Sequence, residues 1–247
     1  MKKIGLTMLL LLLTFPIIAQ DGKNGEGGDY AQYGDVFEIT FSQEGQQELI
    51  QFEGSAGDWV YLSGDQVDAG SVIQINFEIR DSNGLRISFG NDAPFDSFAL
   101  AQLPADGVYT AVMTYDTFGE AIYRVRLNQT LNLAEVESSQ AIFQIDNPPD
   151  IFYIEVSSPG YYDFMLDRVI TTDQPIELQV MSFERASGRT IARFSGEDIE
   201  SWRVTLGLNP GVQYVLYIKS NVFSTAFLSD SAIWDYEYTV RLRASER

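Results

Sequence analysis

The sequence contains no cysteine and no histidine among its 247 residues. Without cysteine there is no disulfide, thiolate nucleophile or lipid-anchoring thiol, so apolar burial must hold each folding unit together. Without histidine, Ser-His-Asp triads and histidine-ligated zinc are excluded. Acid–base chemistry is therefore left to carboxylates, tyrosine, serine, threonine, lysine and arginine.

Basic residues are also scarce, with 16 lysines and arginines against 35 acidic residues and a formal net charge of −19. A surface this acidic repels phosphate backbones and anionic lipid headgroups. Nucleic acid and membrane surfaces are therefore poor partners. Solubility outside the cell explains the acidity most simply, and binding of divalent cations such as calcium or of a basic partner are the alternatives.

Long apolar runs are confined to the N-terminus. Residues 1–19 place Lys2 and Lys3 before an apolar run that ends at Ile18 and Ala19, which is the order of a secretory signal peptide. The run contains Pro16 and is shorter than the roughly 20 residues that span a membrane. We expect an exported protein, extracellular or periplasmic, with no membrane insertion after cleavage of the signal.

Helical periodicity is absent after the signal. Residues 20–36 are rich in Gly and Asp and predict a flexible leader. From residue 37 onward, short runs alternate apolar and polar residues, which is typical of half-buried strands in an antiparallel sandwich. The first seven runs are FEITF, QELIQFEG, DWVYLSG, VIQINFEIR, SFALAQL, VYTAVMTY and IYRVRLN.

The two halves of the chain repeat each other. An offset of 104 residues relates Gly84 to Gly188, Ile87 to Ile191 and Gly107 to Gly211, whereas the closing strands YRVRL and YTVRL are 115 residues apart. We therefore predict module 1 at residues 37–128, a linker at 129–140 that pairs in part, and module 2 at residues 141–247. The 11 extra residues of module 2 fall within residues 220–235.

The turn before the seventh strand carries the duplication most clearly, as LPADGVY in module 1 and LNPGVQY in module 2. Gly107 and Gly211 are expected where the backbone needs positive φ or a close approach. Tyr109 and Tyr214 should face the same way in their strands. Because Gln213 is inserted before the second tyrosine, a bulge or a one-residue shift is needed to keep that orientation.

The order FEIRDSNGLRISFGND, DSFALAQLPADGVYTAVM and AIYRVRL resembles the bacterial pre-peptidase C-terminal domain. The match in module 1 runs through a turn, a second strand ending in Asn91 and Asp92, and the Gly107–Tyr109 strand. The resemblance implies two tandem jelly-roll-like antiparallel β-sandwiches. It also implies a non-catalytic accessory module of exported enzymes, with some relatives associated with calcium or with polymers such as collagen.

A calcium site in module 1 would draw its oxygen ligands from Asp81, Asn83, Asp92 and Asp96. The alternative is that Asp81 and Asn83 serve a hairpin turn, as these residue types commonly do. The chain departs from the family pattern at Gln74, where an acidic residue is common. Module 2 departs from it at Ser195 and Gly196, which replace Asn91 and Asp92.

Two further features are candidates for binding. Phe223, Phe227 and Trp234 lie in the insertion of module 2, where aromatic rings could stack on sugar rings or dock into a partner, or could instead pack on the sandwich.

Arg185, Arg189, Arg193 and Arg203 could hold carboxylates of an acidic polymer, although pairing with Glu184, Glu197 and Glu200 is the simpler expectation.

These observations predict an exported, non-enzymatic binding module that recognises an extracellular polymer or a secreted or surface protein. A structural component of the cell envelope without a soluble ligand is one alternative. A hydrolase that uses a pair of carboxylates is another, since such enzymes need two acids facing each other across a cleft. No cofactor is implied beyond calcium.

Overall fold

A computed structural model describes residues 30–66, 75–90, 98–136, 139–144, 150–168, 177–186, 190–197, 201–221 and 235–246. The regular secondary structure of these residues is entirely β-strand, and none of them forms a helix long and apolar enough to cross a membrane. The first eight strands are β1 (Val36–Phe41), β2 (Gln47–Gly54), β3 (Trp59–Gln66), β4 (Ile75–Arg80), β5 (Arg86–Gly90), β6 (Phe98–Gln102), β7 (Gly107–Tyr115) and β8 (Ala121–Thr130). The second eight are β9 (Ser139–Gln144), β10 (Asp150–Ile154), β11 (Gly160–Arg168), β12 (Glu177–Glu184), β13 (Thr190–Glu197), β14 (Ser201–Leu208), β15 (Tyr214–Asn221) and β16 (Asp235–Ala244).

Each set of eight strands forms two four-stranded antiparallel sheets. The sheets of module 1 have the orders β1-β8-β3-β6 and β2-β7-β4-β5, and those of module 2 have the orders β9-β16-β11-β14 and β10-β15-β12-β13. The first strand pairs with the eighth, the second with the seventh, the third with the sixth and the fourth with the fifth. This nested pairing is a jelly roll, so the predicted pair of jelly-roll-like sandwiches is confirmed.

The duplication is visible strand by strand. Adding 104 residues carries β4, β5 and β6 onto β12, β13 and β14, and adding 115 residues carries β8 onto β16. The seven runs predicted from alternation are all strands of module 1. Strand β5, RISFG, is not among these runs.

Each module has its own apolar core between its two sheets. Inward residues of module 1 include Phe41, Phe52 and Phe77, none of them accessible to solvent. In module 2, Phe164, Leu166 and other buried side chains fill the equivalent space. Burial of this apolar area supplies the stabilisation that disulfides give to many small exported domains.

The two tyrosines after the repeated turn both face inward. The hydroxyl of Tyr109 donates to the carbonyl of Ala105 (2.5 Å), and that of Tyr214 accepts from the N–H of Asn209 (3.0 Å). Gly211 has φ of +73°, so a left-handed turn takes up the extra Gln213, and β15 begins only at Tyr214. The one-residue shift anticipated from the sequence therefore restores the orientation of the second tyrosine.

Part of the predicted leader, residues 30–36, pairs with module 1. The N–H of Ala31 donates to the carbonyl of Gln51 (2.7 Å), and the ring of Tyr33 packs on Phe52 with 6.1 Å between centroids. Val36 already belongs to β1. The glycine-rich composition did not predict that Tyr33 packs against the core of module 1.

Linker residues that follow β8 pair with module 2. Asn132 forms a parallel bridge with Tyr153, its side chain bonds both the carbonyl and the N–H of Glu155, and the next residue, Leu133, is buried in the second core. Ala31 makes the same kind of parallel bridge with Phe52 in module 1. Each module is thus preceded by a short segment that forms a parallel β-bridge with the second strand of that module.

The two modules are joined face to face through an apolar cluster, here called the joint. The outer face of β3 and β6 contributes Trp59, Tyr61, Phe98 and Leu100, and the outer face of β10 and β15 contributes Ile151, Tyr153, Val215 and Tyr217. Trp59 stacks on Tyr153 with 3.9 Å between centroids. Strands β10 and β15 are therefore buried on both faces.

A buried polar group lies beside the joint. Arg126 of module 1 donates to Asp150 of module 2 over 2.7 Å, and the hydroxyl of Tyr61 donates to the same carboxylate over 3.3 Å. Arg185 of module 2 donates to the carbonyl of Leu100 and lies 5.3 Å from the ring of Trp59. These charged and hydrogen-bonded contacts fix the register in which the modules meet.

The joint covers only part of each sheet. Its residues lie on β3 and the edge strand β6 of one sheet, and on the edge strand β10 and β15 of the other. The β2-β7-β4-β5 sheet and the β9-β16-β11-β14 sheet contribute no described residue to the joint, and their outer faces are candidate surfaces for a ligand.

Candidate binding face

The predicted calcium ligands Asp81 and Asn83 form a hairpin turn between β4 and β5. One carboxylate oxygen of Asp81 accepts the N–H groups of Asn83 (2.9 Å) and Leu85 (2.8 Å), and the N–H of Gly84 donates to the carbonyl of Asp81. This is the turn alternative considered above. Within the described ranges, no three acidic residues are grouped so as to hold a metal ion.

The remaining predicted site residues lie outside the described residues. These are Asp92 and Asp96 of the metal set, and Phe223, Phe227 and Trp234 of the aromatic insertion. Residues 1–19, the predicted signal peptide, also lie outside them. The predictions made for these residues stay predictions.

Of the four arginines predicted to cluster in module 2, the three that the structure describes are dispersed. Arg185 is half-buried at the joint, Arg193 is exposed on β13, and Arg203 lies on β14 in the other sheet. Arg189 is outside the described residues. Arg203 forms an ion pair with Asp163 of β11, because strand pairing places β14 next to β11.

The described clefts are shallow. The larger, of about 340 Å³, lies at one end of module 1 and is lined by Glu53, Asp58, Asp106 and neighbouring residues. Asp58 accepts the N–H of Ser55 (3.0 Å) and Asp106 accepts the N–H of Ala56 (2.8 Å). Both carboxylates therefore hold turns together.

The outer face of module 1 is polar and internally bonded. Gln47 donates to Thr114 over 3.1 Å, and Glu78 accepts the Nε of Arg80 over 2.7 Å. Its one large exposed apolar residue among the described side chains is Leu49. The hydrogen-bonding groups of this face are largely satisfied within the protein.

The outer face of module 2, here called the platform face, is built by alternation along three paired strands. In β11, Phe164 and Leu166 point into the core, so Tyr161, Asp163 and Met165 point outward. The register places Tyr161 opposite Gly207, and Asp163 between Thr205 of β14 and Arg243 of β16. Met165 lies between Arg203 and Arg241 in the next row.

Tyr161 is the main aromatic group of the platform face, and 65% of it is accessible to solvent. Its ring passes beside Gly207, where a Cβ atom would lie 3.8 Å from the ring carbon Cε1. The absence of a side chain on Gly207 leaves the neighbouring strand position flat. The result is an exposed aromatic surface on a rigid sheet.

The charges beside Tyr161 are balanced. Asp163 accepts hydrogen bonds from Arg203 and from the hydroxyl of Thr205 (2.7 Å), and these bonds lower the pKa of its carboxyl to about 2. Asp163 and Glu246 in turn raise the pKa of Arg203. Asp167 pairs with Arg241 in the same way further along the face. The Asp163 carboxyl is therefore ionised at neutral pH, and Arg203 and Arg241 each have an acidic neighbour.

Sequence reasoning missed Tyr161 and its neighbours. The available signal was the alternation in GYYDFMLDR, in which Tyr162, Phe164 and Leu166 predict the buried face and leave Tyr161 outward among polar residues. The opposing Gly207 and Arg203 could not be identified, because their approach depends on the register between β11 and β14.

Comparisons with known proteins leave the family open. No family model and no curated protein matches the chain. Among solved structures, an isomalto-dextranase of Arthrobacter globiformis T6 complexed with panose has 13% identity and a TM-score of 0.26, over 81% of this chain and 35% of that one. The N-terminal CBM22-1–CBM22-2 tandem domain of Paenibacillus barcinonensis Xyn10C has 11% identity and a TM-score of 0.22, over 88% of this chain and 99% of that one.

The chain thus spans about a third of the isomalto-dextranase chain. At these TM-scores neither comparison carries an argument about function. The class assignment, a tandem of jelly-roll β-sandwiches, rests on the strand topology, and the resemblance to the pre-peptidase C-terminal domain stays a prediction.

Proposed function

We propose that the chain is an exported, non-catalytic module that binds an extracellular polymer through the platform face. The observation that carries this proposal is the solvent-exposed ring of Tyr161, held on a rigid sheet beside paired charged side chains. An exposed aromatic face offers apolar stacking, while its polar neighbours supply orientation.

The shape of the face favours a polymer over a small ligand. Small molecules usually bind in pockets that enclose most of their surface, whereas the platform face is an open sheet. An extended chain can make the same number of contacts by lying across several strands, which are spaced about 4.8 Å apart.

We also propose that the chain has no catalytic activity of its own. The described clefts are shallow, and the carboxylates that line the larger one are bonded to backbone N–H groups. An accessory role needs only that the face hold its polymer, and the platform face requires no cofactor for that.

The test is retention of the mature protein on insoluble collagen, chitin, cellulose and peptidoglycan. We expect Tyr161→Ala to weaken retention about tenfold or more on the polymer that binds, since it removes the stacking surface. Phe118→Ala is the matched control, because Phe118 is 81% exposed but lies in the β7–β8 turn of module 1.

Equal retention of wild type and Tyr161→Ala would contradict the proposal. Loss of retention on Trp234→Ala alone would assign binding to the insertion of module 2 instead. Failure of the wild type to bind any polymer, with the fold intact by circular dichroism, would favour a protein partner or a structural role in the envelope.

A further inference from the structure

We infer that the polymer recognised by the platform face is a neutral polysaccharide, with Asp163, Arg203 and Thr205 as the hydrogen-bonding groups that orient a sugar ring stacked on Tyr161. This inference rests on the proposed function and specifies its ligand class.

The charge pattern supports a neutral ligand. Three described arginines lie on the face. Arg203 and Arg241 are paired with Asp163 and Asp167, and Arg243 lies opposite Asp163 in the strand register. Glu246 adds a further carboxylate near Arg203. An anionic chain would have to compete with these carboxylates for the guanidinium groups. It would also approach a protein whose net charge is −19.

The hydrogen-bonding groups of the platform face support a ligand that carries hydroxyl groups. A sugar hydroxyl can accept a hydrogen bond, and the guanidinium of Arg203, bonded on one side to Asp163, presents several donors. Asp163 is only 4% exposed, whereas the side chain of Arg203 is 64% exposed and Thr205 holds the carboxylate from the other side. Arg203 is therefore the group that reaches the ligand, and Asp163 and Thr205 hold it in place.

The position of these groups relative to the ring supports a pyranose chain. Tyr161 and Asp163 are two residues apart on one face of β11, a separation of about 7 Å. Arg203 lies on the adjacent strand, one row beyond Thr205, which pairs with Asp163. A sugar ring stacked on the tyrosine thus has its edge, where the hydroxyls project, directed toward the ion pair.

The first arm of the experiment compares immobilised neutral polysaccharides with a charged one of the same backbone. Polygalacturonate and its fully methyl-esterified form share a backbone and differ in the methyl ester that neutralises each carboxylate, and dextran, cellulose and a soluble β-glucan extend the neutral set. We expect binding to one or more neutral chains and at least tenfold weaker binding to polygalacturonate than to its ester. Binding to a neutral chain should change less than twofold between about 50 mM and about 500 mM NaCl, because no counterion is released.

The second arm uses variants. Arg203→Gln should weaken binding about tenfold or more, and Thr205→Val about threefold, since each removes part of the hydrogen-bonding group. Arg86→Gln and Thr114→Val on the outer face of module 1 are the matched controls and should bind as wild type. Unfolding midpoints of all four variants establish that the fold is intact.

The outcomes separate the two proposals. Retention on collagen that depends on Tyr161, with no retention on any polysaccharide, would overturn this inference and leave the proposed function standing. Preference for polygalacturonate over its ester, lost as salt is raised, would also overturn it in favour of an anionic chain. Polysaccharide binding unaffected by Tyr161→Ala would overturn both.

Discussion

Asp150 is the residue whose environment has the largest consequence for stability. It is buried between the modules, and burial raises the pKa of its carboxyl from 3.8 to about 6, although Arg126 and Tyr61 act in the opposite direction. The folded protein therefore binds a proton between about pH 4 and pH 6 that the unfolded chain has released. The free energy of unfolding should fall as the pH rises through this window.

We expect wild type to be most stable relative to Asp150→Asn below about pH 4. As the pH rises to 7, the free energy of unfolding of wild type should fall by up to about 3 kcal/mol relative to that of Asp150→Asn. Urea denaturation at a series of pH values measures this difference. Comparing the two proteins removes the contribution of the other carboxylates.

Asp163→Asn provides a control of opposite sign. Its hydrogen bonds to Arg203 and Thr205 lower the pKa of Asp163 to about 2, so its stabilising effect should be present above about pH 4 and fade as the pH falls toward 2. A pH-independent difference for Asp150→Asn, or one that follows the course of Asp163→Asn, would show that Asp150 is not destabilised by burial.

At the scale of elements, the duplication offers a natural comparison between β2 and β10. The equivalent tyrosines of the two modules identify equivalent positions on these strands, because Tyr109 pairs with Phe52 and Tyr214 pairs with Ile154. Three positions before these partners lie Leu49 in β2 and Ile151 in β10, which are therefore equivalent. Leu49 is 52% exposed on the outer face of module 1, whereas Ile151 is buried in the joint. The next outward position is Gln51 in β2 and Tyr153 in β10.

Ile151→Gln should destabilise the protein by about 2–4 kcal/mol and loosen the contact between the modules, because it places an amide in an apolar cluster. Leu49→Gln should change the stability by less than about 0.5 kcal/mol, as is usual for exposed positions. Urea unfolding gives both values, and small-angle scattering reports whether the radius of gyration increases. Similar effects of the two substitutions would argue against a joint in solution.

At the scale of the whole molecule, the joint and the outer sheet faces differ in chemistry at equivalent positions. Tyr61 and Leu100 face each other across β3 and β6 in the joint, whereas Asp163 and Thr205 occupy the corresponding rows of β11 and β14 on the platform face. Gln51 and Thr110 likewise stand where module 2 has Tyr153 and Val215. The modules therefore meet through apolar side chains, and the equivalent positions on the outer faces are polar.

The net charge of −19 is also a property of the whole molecule. Repulsion among 35 acidic side chains opposes the compact state, and salt screens it. We expect the melting temperature to rise as NaCl increases from about 10 mM to about 500 mM. A fall over this range in differential scanning calorimetry would mean that the ion pairs, such as Arg203–Asp163 and Arg241–Asp167, outweigh the general repulsion.

The sequence by itself determined the class of fold. Period-two alternation locates the strands, and the offset of 104 residues reveals the duplication, because both signals are local or depend only on comparing the chain with itself. The common orientation of Tyr109 and Tyr214 was also predicted from the repeated turn, provided that a bulge or a one-residue shift accommodates Gln213. The turn role of Asp81 was among the alternatives that its sequence context allowed.

Only the tertiary structure decided which sheet faces are covered and which residues distant in sequence are in contact. Strands β10 and β15 read as apolar on both sides, but that pattern does not say that Tyr61 and Leu100 of the other module cover them. The pairing of Asp150 with Arg126 and of Asp163 with Arg203 joins residues 24 and 40 positions apart. Such contacts depend on strand register and on the docking of modules, which are set by the sum of many long-range contacts rather than by any short stretch of sequence.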